Sequence, residues 1–268
     1  MSDTFLHYTR QGAGPPLLLL HGNGEDGSYF VHQMGAFSLH YTAPGPPAAG
    51  PGWRRNPSPA AGPGSPSGGA PPPPGAGAGY NPHISHQMGA FSLHYTVYAI
   101  DTRGHGKSPR GDAPFTMEQF AKDLLAFMDG EGIQRANILG FSDGGNIALT
   151  FALAHPDRVD RLILNGANLA PSGVKPQIQI PIVLGYAAAS LFARLSPKAK
   201  HNAEILGLMV KEPHIPAEAL RKLYIPTLVI VGTRDMIRDS HTLLIAGSLP
   251  NGRLEMIVGD HFIAAKNP

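Results

Sequence analysis

Six short apolar runs alternate with helical patterns, and this alternation constrains the fold more than any other feature of the sequence. The runs are continuous or nearly continuous in apolar side chains, which is typical of strands buried on both faces of a sheet. They cover residues 15–22, 96–101, 136–142, 160–167, 227–235 and 253–261. Strands that alternate with helices in this way indicate parallel neighbours. We therefore predict an α/β protein with a doubly wound, mostly parallel sheet.

Three helices are predicted between these strands. Residues 116–132 begin with Thr116, and Gln119 follows three positions later, which is the pattern of a capping box. Apolar residues recur at helical spacing through the rest of that segment. Residues 144–159 and 240–250 give the other two predicted helices.

Residues 168–222 break the alternation, because they contain polar turns and two or three helical patterns but no strand. We predict that they form a small helical cap over the carboxyl edge of the sheet, where ligands of open α/β sheets bind. The core of the fold is then predicted from residues 1–42, 96–167 and 223–268.

The eleven residues HQMGAFSLHYT occur twice, at 32–42 and at 86–96, on either side of a segment that is more than half Pro and Gly. Such a segment buries too little apolar surface to offset the entropy of ordering. We predict that residues 43–95 are a disordered insertion that carries a short duplication. Either copy fits the helix position before the strand at 96–101, and we favour the first. The alternative for APPPPG within the tract is a polyproline II ligand of an SH3 or WW type module.

The composition fits a globular protein and argues against a nucleic acid partner. The chain has 268 residues, of which 42% are hydrophobic, and its 21 basic and 19 acidic side chains give a formal charge of +2. Because these charges are not clustered, we expect no nucleic acid partner. Cysteine is absent, which excludes disulfides and thiolate chemistry and fits a reducing compartment.

The first residues do not have the pattern of a secretory signal peptide, since a basic n-region is missing and the apolar run LLLL is too short. The longest apolar stretch, residues 180–195, is shorter than the roughly 18 residues that suggest a membrane span. We predict a cytoplasmic location and no membrane span.

The sequence GFSDGG places two possible nucleophiles side by side. In a strand–nucleophile–helix turn, the residues two before and two after the nucleophile must be small. With Ser142 at the centre these residues are Gly140 and Gly144, whereas with Asp143 at the centre Phe141 would stand where only a hydrogen atom fits. Because a predicted strand precedes Ser142 and a predicted helix follows it, we predict that Ser142 is the nucleophile.

A serine nucleophile needs a general base, and the base needs an acid that orients it. His261 follows the last predicted strand, and Asp235 follows the strand before it, which is the order that this architecture requires. We predict His261 as the base and Asp235 as the acid. Asp239 and Asp260 are the rival acids. The histidines show no spacing that indicates a metal site.

The oxyanion of the reaction is predicted to be held by two backbone N–H groups. Asn23 lies in HGNG, directly after the first apolar strand, and Asp143 lies at the start of a predicted helix. An N–H group in such a position can point at the developing negative charge.

Five motifs together resemble the α/β-hydrolase superfamily: HGNG at 21–24, DTRGHGKS at 101–108, GFSDGG at 140–145, GTRDMI at 232–237 and GDHF at 259–262. The resemblance covers nearly everything except the Pro/Gly tract. It implies hydrolysis through an acyl-enzyme intermediate, with no cofactor. Our leading hypothesis for the substrate is a small-molecule carboxylic ester.

The stretch that begins with GFSDGG is similar to the biphenyl-hydrolase-like and valacyclovir-hydrolase group. In that group the acid after the nucleophile binds the α-amino group of the substrate, so the resemblance implies an amino acid ester substrate bound by Asp143. The alternative, which we favour, is that Asp143 contributes its N–H, while its carboxylate interacts favourably with the helix dipole.

Further substrate-binding candidates are Phe141 beside the nucleophile and, in the predicted cap, Leu184 and Phe192. The same triad also suits a lactonase or a hydrolase of carbon–carbon bonds. A third possibility is a catalytically silent scaffold that acts as a binding protein, with the Pro/Gly tract as its interaction arm.

Overall fold

The computed structural model describes residues 5–31 and 94–266. Their strands form one seven-stranded sheet in the order β1-β3-β2-β4-β5-β6-β7. The strands are β1 (Tyr8–Gln11), β2 (Pro16–Leu20), β3 (Thr96–Ile100), β4 (Ala136–Phe141), β5 (Val159–Asn165), β6 (Thr227–Gly232) and β7 (Gly252–Ile257). Only β1 pairs antiparallel, with β3, and all other neighbours in this sheet are parallel. The predicted doubly wound, mostly parallel α/β fold is confirmed.

The helices of the described residues are α1 (Met117–Gly130), α2 (Asp143–Ala154), α3 (Pro176–Phe192), α4 (Pro197–Lys211), α5 (Ala217–Leu220), α6 (Asp239–Ser248) and α7 (Ile263–Lys266). Short 3-10 helices cover Gly27–Val31, Pro156–Arg158 and Pro171–Gly173. The three helices predicted between strands correspond to α1, α2 and α6. No helix in the described part of the chain is both long and apolar enough to cross a membrane.

All six apolar runs contain a strand, but each strand ends earlier than predicted. The run at 227–235 ends as a strand at Gly232, and the run at 253–261 ends at Ile257. The residues beyond these points leave the sheet as loops at its carboxyl edge. The sequence did not reveal β1, because this strand has four residues, pairs only at the sheet edge and carries Thr9, Arg10 and Gln11.

The first turn of α1 forms half of the predicted capping box. The Thr116 hydroxyl oxygen accepts a hydrogen bond from the N–H of Gln119 at 3.2 Å. The Gln119 side chain, however, donates to Asp123 Oδ1 at 3.0 Å and does not return to the backbone of Thr116. The Gln119 side-chain amide, which would complete the capping box, is thus hydrogen-bonded to the buried carboxylate of Asp123.

Residues 168–222, named here the helical segment, contain α3, α4 and α5 and no strand, apart from an isolated antiparallel bridge between Val174 and Ile237. None of the described side chains of α3 is buried, and Leu208 is the buried side chain of α4. The two helices pack mainly on each other. Helices α3 and α4 therefore contribute few buried side chains to the core.

Two predictions fall on residues outside the described ranges. The choice of the first HQMGAFSLHYT copy for a helix concerns residues 32–42, and the predicted disordered insertion 43–95 includes only two described residues, His94 and Tyr95. Both remain predictions.

A buried ion pair joins the loop after β3 to α1. Arg103 and Asp123 are each 1% exposed, and Nε and Nη2 of Arg103 donate to the two carboxylate oxygens of Asp123 at 2.6 Å each. Two parallel hydrogen bonds of this kind fix both position and orientation. The loop that carries DTRGHGKS is thereby held against the helix.

Replacing Arg103 with Met should lower the free energy of unfolding by about 3–5 kcal/mol, because it leaves the Asp123 carboxylate buried and uncompensated. Urea denaturation measures this change. The matched control is Lys122→Met, which removes the exposed ion pair between Lys122 and Glu118 and should leave the urea midpoint almost unchanged. A midpoint for Arg103→Met equal to that of the control would contradict a stabilising role for the buried pair.

Candidate active site

Ser142 lies in a strained turn between β4 and α2. Its backbone has φ 52° and ψ −120°, and it is the one residue other than glycine with positive φ in the described part of the chain. A side chain rarely adopts this conformation unless the surrounding structure enforces it. Ser142 therefore occupies the central position of the turn, as the sequence predicts, and Asp143 is the first residue of α2.

The strained turn depends on close approach between three backbone segments. A Cβ atom at Gly140 would collide with the backbone carbonyl of Gly144, and one at Gly144 would collide with the carbonyl oxygen of Leu20 in β2. Both glycines are therefore required by space. Their positions, two before and two after Ser142, are those that the sequence predicts for a serine at the centre.

The structure brings the three predicted triad residues together. His261 Nε2 lies 3.0 Å from Ser142 Oγ, and His261 Nδ1 lies 2.7 Å from Asp235 Oδ1. The His261 and Asp235 side chains are 6% and 0% exposed. The three residues follow β4, β6 and β7, so the parallel strands deliver them to one edge of the sheet.

The two rival acids lie elsewhere. Asp239 is exposed at the start of α6, where its carboxylate lies 3.9 Å from Lys175 Nζ. Asp260 accepts hydrogen bonds from the N–H of Phe262 and from the Lys266 ammonium. Of the three candidate acids, Asp235 is the one that contacts the imidazole.

Asp235 is held in its ionised form by its hydrogen bonds. Burial raises the pKa of this carboxyl, but the imidazole of His261 and the N–H groups of Ile237 and Gly232 outweigh that effect, and the net pKa lies below the ordinary value. The N–H of Ile237 donates to Oδ1 at 2.9 Å and that of Gly232 to Oδ2 at 3.4 Å. An ionised acceptor beside Nδ1 favours the tautomer with the proton on Nδ1, which leaves Nε2 free to accept a proton.

Gly166 makes room for the imidazole, and sequence analysis did not identify it. A Cβ atom at this position would lie 2.6 Å from His261 Cε1, and its φ of +64° also favours glycine. The imidazole also packs against Phe141 and Phe262, with ring centroids 4.9 and 5.5 Å away. The only sequence signal was a glycine directly after a strand.

The two predicted oxyanion donors are available. Among the hydrogen bonds of the described residues, none uses the N–H of Asn23 or of Asp143. The loop that carries Asn23 is closed by Glu25, whose N–H donates to Gly22 O at 3.3 Å and whose Oε2 accepts from Gly22 N at 3.1 Å. The Asn23 side chain donates to Ile205 O of α4 at 2.8 Å, which ties this loop to the helical segment.

The carboxylate of Asp143 is buried and half satisfied. Oδ1 accepts from Asn146 Nδ2 at 3.1 Å, and the Asn146 amide is held in turn by Asn168. Oδ2 is buried and has no hydrogen-bond partner in the described part of the chain. The pKa of Asp143 is raised to about 6, because burial and the nearby Glu212 raise it by more than Asn146 and His261 lower it.

Two further carboxyl groups belong to the same electrostatic environment. The pKa of Glu25 is raised to about 7, because burial and Asp26 raise it by more than Gly22 and His261 lower it. Burial also raises the pKa of Glu212. Glu25 thus interacts electrostatically with His261, and Glu212 with Asp143. Sequence analysis identified neither Glu25 nor Glu212.

The other substrate-binding candidates lie in two different settings. Phe141 is 1% exposed, with its ring stacked on Tyr29 at 4.3 Å, so it supports the imidazole from within the core and does not face open space. Its proposed contact with a substrate remains a prediction. Leu184 and Phe192 are 65% and 53% exposed on α3, and their proposed role remains a prediction.

No group of three or more His, Asp or Glu side chains in residues 5–31 and 94–266 is placed to hold a metal ion.

Comparison with known proteins identifies the family. A family model described as the alpha/beta hydrolase fold matches residues 73–210, which is about half of the chain. The chain belongs to the alpha/beta hydrolase fold family. The strained turn at Ser142 lies within the matched residues.

The relatives of this alpha/beta hydrolase agree on the fold and differ in their described activities. A putative carbamate hydrolase, RutD, of Caulobacter sp. strain K31 is 39% identical over 79 residues, which are 29% of this chain and 30% of the relative. The match thus spans less than a third of that relative. RutD of Azorhizobium caulinodans is 26% identical over 225 residues, covering 72% of this chain and 83% of the relative. The enol-lactonase of Burkholderia xenovorans LB400 superposes with a TM-score of 0.65 at 20% identity, covering 99% and 92% of the two chains.

Replacing Gly144 with Ala should destabilise the protein by about 1–3 kcal/mol, because the added methyl group overpacks the contact with β2. Gly247→Ala is the matched control, since Gly247 lies in α6 and a Cβ atom there would meet nothing within 4 Å. The control should gain about 0.5–1 kcal/mol of helix stability. Thermal and urea unfolding measure both variants, and equal effects of the two substitutions would contradict the packing argument.

Proposed function

We propose that this protein is a serine hydrolase that cleaves a carboxylic ester through an acyl-enzyme intermediate. The observation that carries the proposal is the continuous hydrogen-bonded chain from Ser142 Oγ through both imidazole nitrogens of His261 to Asp235. A nucleophile, a base and an orienting acid in this geometry are the parts that acyl transfer needs. The hydrolase family of the chain supports the same proposal.

In the first half of the proposed reaction, Ser142 Oγ attacks the ester carbonyl carbon while His261 Nε2 takes the hydroxyl proton. The carbonyl oxygen becomes an oxyanion, and the ionised Asp235 stabilises the imidazolium. When the carbon–oxygen bond to the leaving group breaks, the imidazolium returns its proton to that oxygen. The products are an alcohol and an ester of Ser142.

In the second half, a water molecule takes the place of the alcohol. His261 accepts a proton from the water as its oxygen attacks the acyl carbon, and the proton then passes to Ser142 Oγ as the acyl–serine bond breaks. The acid leaves and the enzyme returns to its starting protonation state.

The N–H groups of Asn23 and Asp143 are proposed to stabilise the oxyanion in both halves. They donate no hydrogen bond within the described residues, so an incoming oxyanion displaces no protein partner. A donor of this kind contributes about 3–4 kcal/mol to the transition state. The Asp143 N–H also lies at the positive end of the α2 dipole.

Residues 168–222 are proposed to act as a cap over this site. The hydrogen bond from Asn23 to Ile205 supports the proposal, because it places α4 against the loop that holds one oxyanion donor. Leu184 and Phe192 are proposed to contact the apolar part of an ester that enters from this side.

Replacing Ser142 with Ala should abolish covalent labelling by a fluorophosphonate and lower kcat on a p-nitrophenyl ester by about four or more orders of magnitude, since no other group can form the acyl intermediate. The matched control is Ser240→Ala, an exposed position in α6. Mass spectrometry locates the adduct. Equal labelling of the parent and Ser142→Ala would refute the nucleophile assignment, whereas an intact parent that does not label would favour a silent scaffold.

An α-amino acid ester is a second candidate substrate, and the buried, unpartnered Oδ2 of Asp143 favours it. A protonated amine would supply the hydrogen bond that this oxygen lacks and would neutralise a buried charge. The acidic Glu25 and Glu212 nearby also favour a cationic group. The resemblance to the valacyclovir-hydrolase group leads to the same candidate, while the alternative is that the Asp143 carboxylate acts only on the helix dipole.

Replacing Asp143 with Asn should remove a preference for an α-amino ester over the ester that differs only in lacking the amine. The preference should be full above pH 6 and decline as the pH falls through about 6, because the pKa of Asp143 is about 6 and only its ionised form attracts the amine. The ratio of kcat/KM for the two esters, measured from pH 5 to pH 7.5, provides the test. A ratio that is the same in the parent and in Asp143→Asn at every pH would leave only the dipole role.

The names of the relatives suggest two further acyl groups that the same triad would cleave. The carbamate of the RutD relatives and the lactone of the Burkholderia enzyme both present a carbonyl carbon to a nucleophile. A hydrolase of carbon–carbon bonds would use the same residues. Analysis of the products from a panel of these substrates separates the reactions from ester cleavage.

A further inference from the structure

The loop that carries Asp235 is tied to the start of the helical segment by a short strap, defined here as residues 173–175 and 236–238. The N–H of Lys175 donates to Met236 O at 2.8 Å, and the N–H of Arg238 donates to Gly173 O at 2.8 Å. Between these two bonds, Val174 forms an antiparallel bridge with Ile237. The strap therefore begins at the residue directly after Asp235.

Lys175 adds a contact to the acid residue itself. Its ammonium donates to the backbone carbonyl oxygen of Asp235 at 2.6 Å, and the side chain is 28% exposed. Asp239 is the nearest carboxylate, at 3.9 Å. A charged donor at this distance forms a stronger hydrogen bond than a neutral one.

The remaining polar group of Lys175 starts α3. Its carbonyl oxygen accepts the N–H groups of Ile178 and Gln179 at 3.0 Å each, and Pro176 occupies the first helical position. The N–H, the carbonyl and the ammonium of Lys175 are thus all used, two of them on the acid-bearing loop and one on α3. One residue joins the helical segment to the triad acid.

The position of Asp235 is also what orients His261. Asp235 Oδ1 lies 2.7 Å from Nδ1, and a small displacement of the loop would lengthen this bond and rotate the imidazole away from Ser142. Catalytic groups must be held within a fraction of an ångström for full activity. The Asp235 carboxylate accepts hydrogen bonds from N–H groups of its own turn, whereas the backbone carbonyl of Asp235 accepts one from the Lys175 ammonium.

We propose that Lys175 is a positioning residue, which holds the backbone of Asp235 through its ammonium and so keeps His261 aligned with Ser142. This inference rests on the proposed function, and it adds a residue outside the triad that the reaction depends on. Lys175 acts through Asp235 and touches no reacting atom.

The test compares the parent with Lys175→Met, which keeps the length of the side chain but removes the donor, and with Lys175→Arg, which keeps a charged donor. Lys198→Met, at an exposed position of α4, is the matched control. Loss of the charged hydrogen bond should lower kcat and the fluorophosphonate labelling rate of Lys175→Met about tenfold, with KM changed less than about twofold. The kcat and labelling rate of Lys175→Arg should stay within about threefold of the parent values. Those of the Lys198→Met control should equal the parent values.

A spectroscopic measurement separates positioning from general loss of structure. The proton on His261 Nδ1 that is shared with Asp235 should give a downfield NMR resonance in the parent, and Lys175→Met should shift it upfield or broaden it. If Lys175→Met does not fold, Lys175→Gln, whose shorter amide ends before the Asp235 carbonyl, takes its place with the same expectations.

The possible failures are distinguishable. A parent that does not label at Ser142 overturns the proposed function and this inference with it. A labelled parent with Lys175→Met at the parental rate, or with Lys175→Arg as slow as Lys175→Met, overturns this inference alone. A lower rate with an unchanged Nδ1 resonance also overturns it, because the imidazole would then be aligned without Lys175.

Discussion

The contact between β2, β4 and α2 at Gly140 and Gly144 is the constraint on which the rest of the site depends. Two glycines allow three backbone segments to approach so closely that neither position has room for a methyl group. That approach forces Ser142 into positive φ and lifts its hydroxyl out of the sheet. It also brings the end of β2, with the loop that holds Asn23, beside the first N–H groups of α2. The positions of the proposed nucleophile and of the proposed oxyanion donors thus depend on one packing contact.

The parallel sheet then determines where the other groups meet. β5, β6 and β7 end at the same edge as β4, and the residues that follow them supply Gly166, Asp235 and His261. Asp235 and His261 supply two side chains of the proposed triad, whereas Gly166 leaves space for the imidazole because it has no side chain. Asp143 and Glu25, whose carboxyl pKa values are raised mainly by burial, lie close enough to His261 to interact with it electrostatically.

Sequence patterns predicted those parts of the molecule that depend on neighbours along the chain. The apolar runs gave six of the seven strands, and the spacing of glycines around Ser142 gave the register of the turn. Contacts between distant residues were not predictable. Gly166 is needed because the His261 ring, 95 positions later, lies against it. The ammonium of Lys175 bonds to the carbonyl of Asp235, 60 positions later. The Gln119 side chain donates to the buried Asp123 carboxylate and not to the backbone at the start of α1, because buried polar groups need hydrogen-bond partners. The edge strand β1 was missed because its side chains show no apolar pattern. It is a strand because its backbone pairs with β3.

The bond between the Asn23 side chain and Ile205 links two segments that are 182 positions apart, and its acceptor is a main-chain oxygen. Any residue at position 205 except one that distorts the helix offers the same acceptor. Evolution is therefore free to vary the side chains of α4, and with them the shape presented to a substrate, without loosening the loop below. A change in the axial register of α4 is different, because a slip of one residue moves the acceptor by about 1.5 Å. The hydrogen bond that holds the Asn23 loop therefore depends on the axial position of α4 and not on the identity of its side chains.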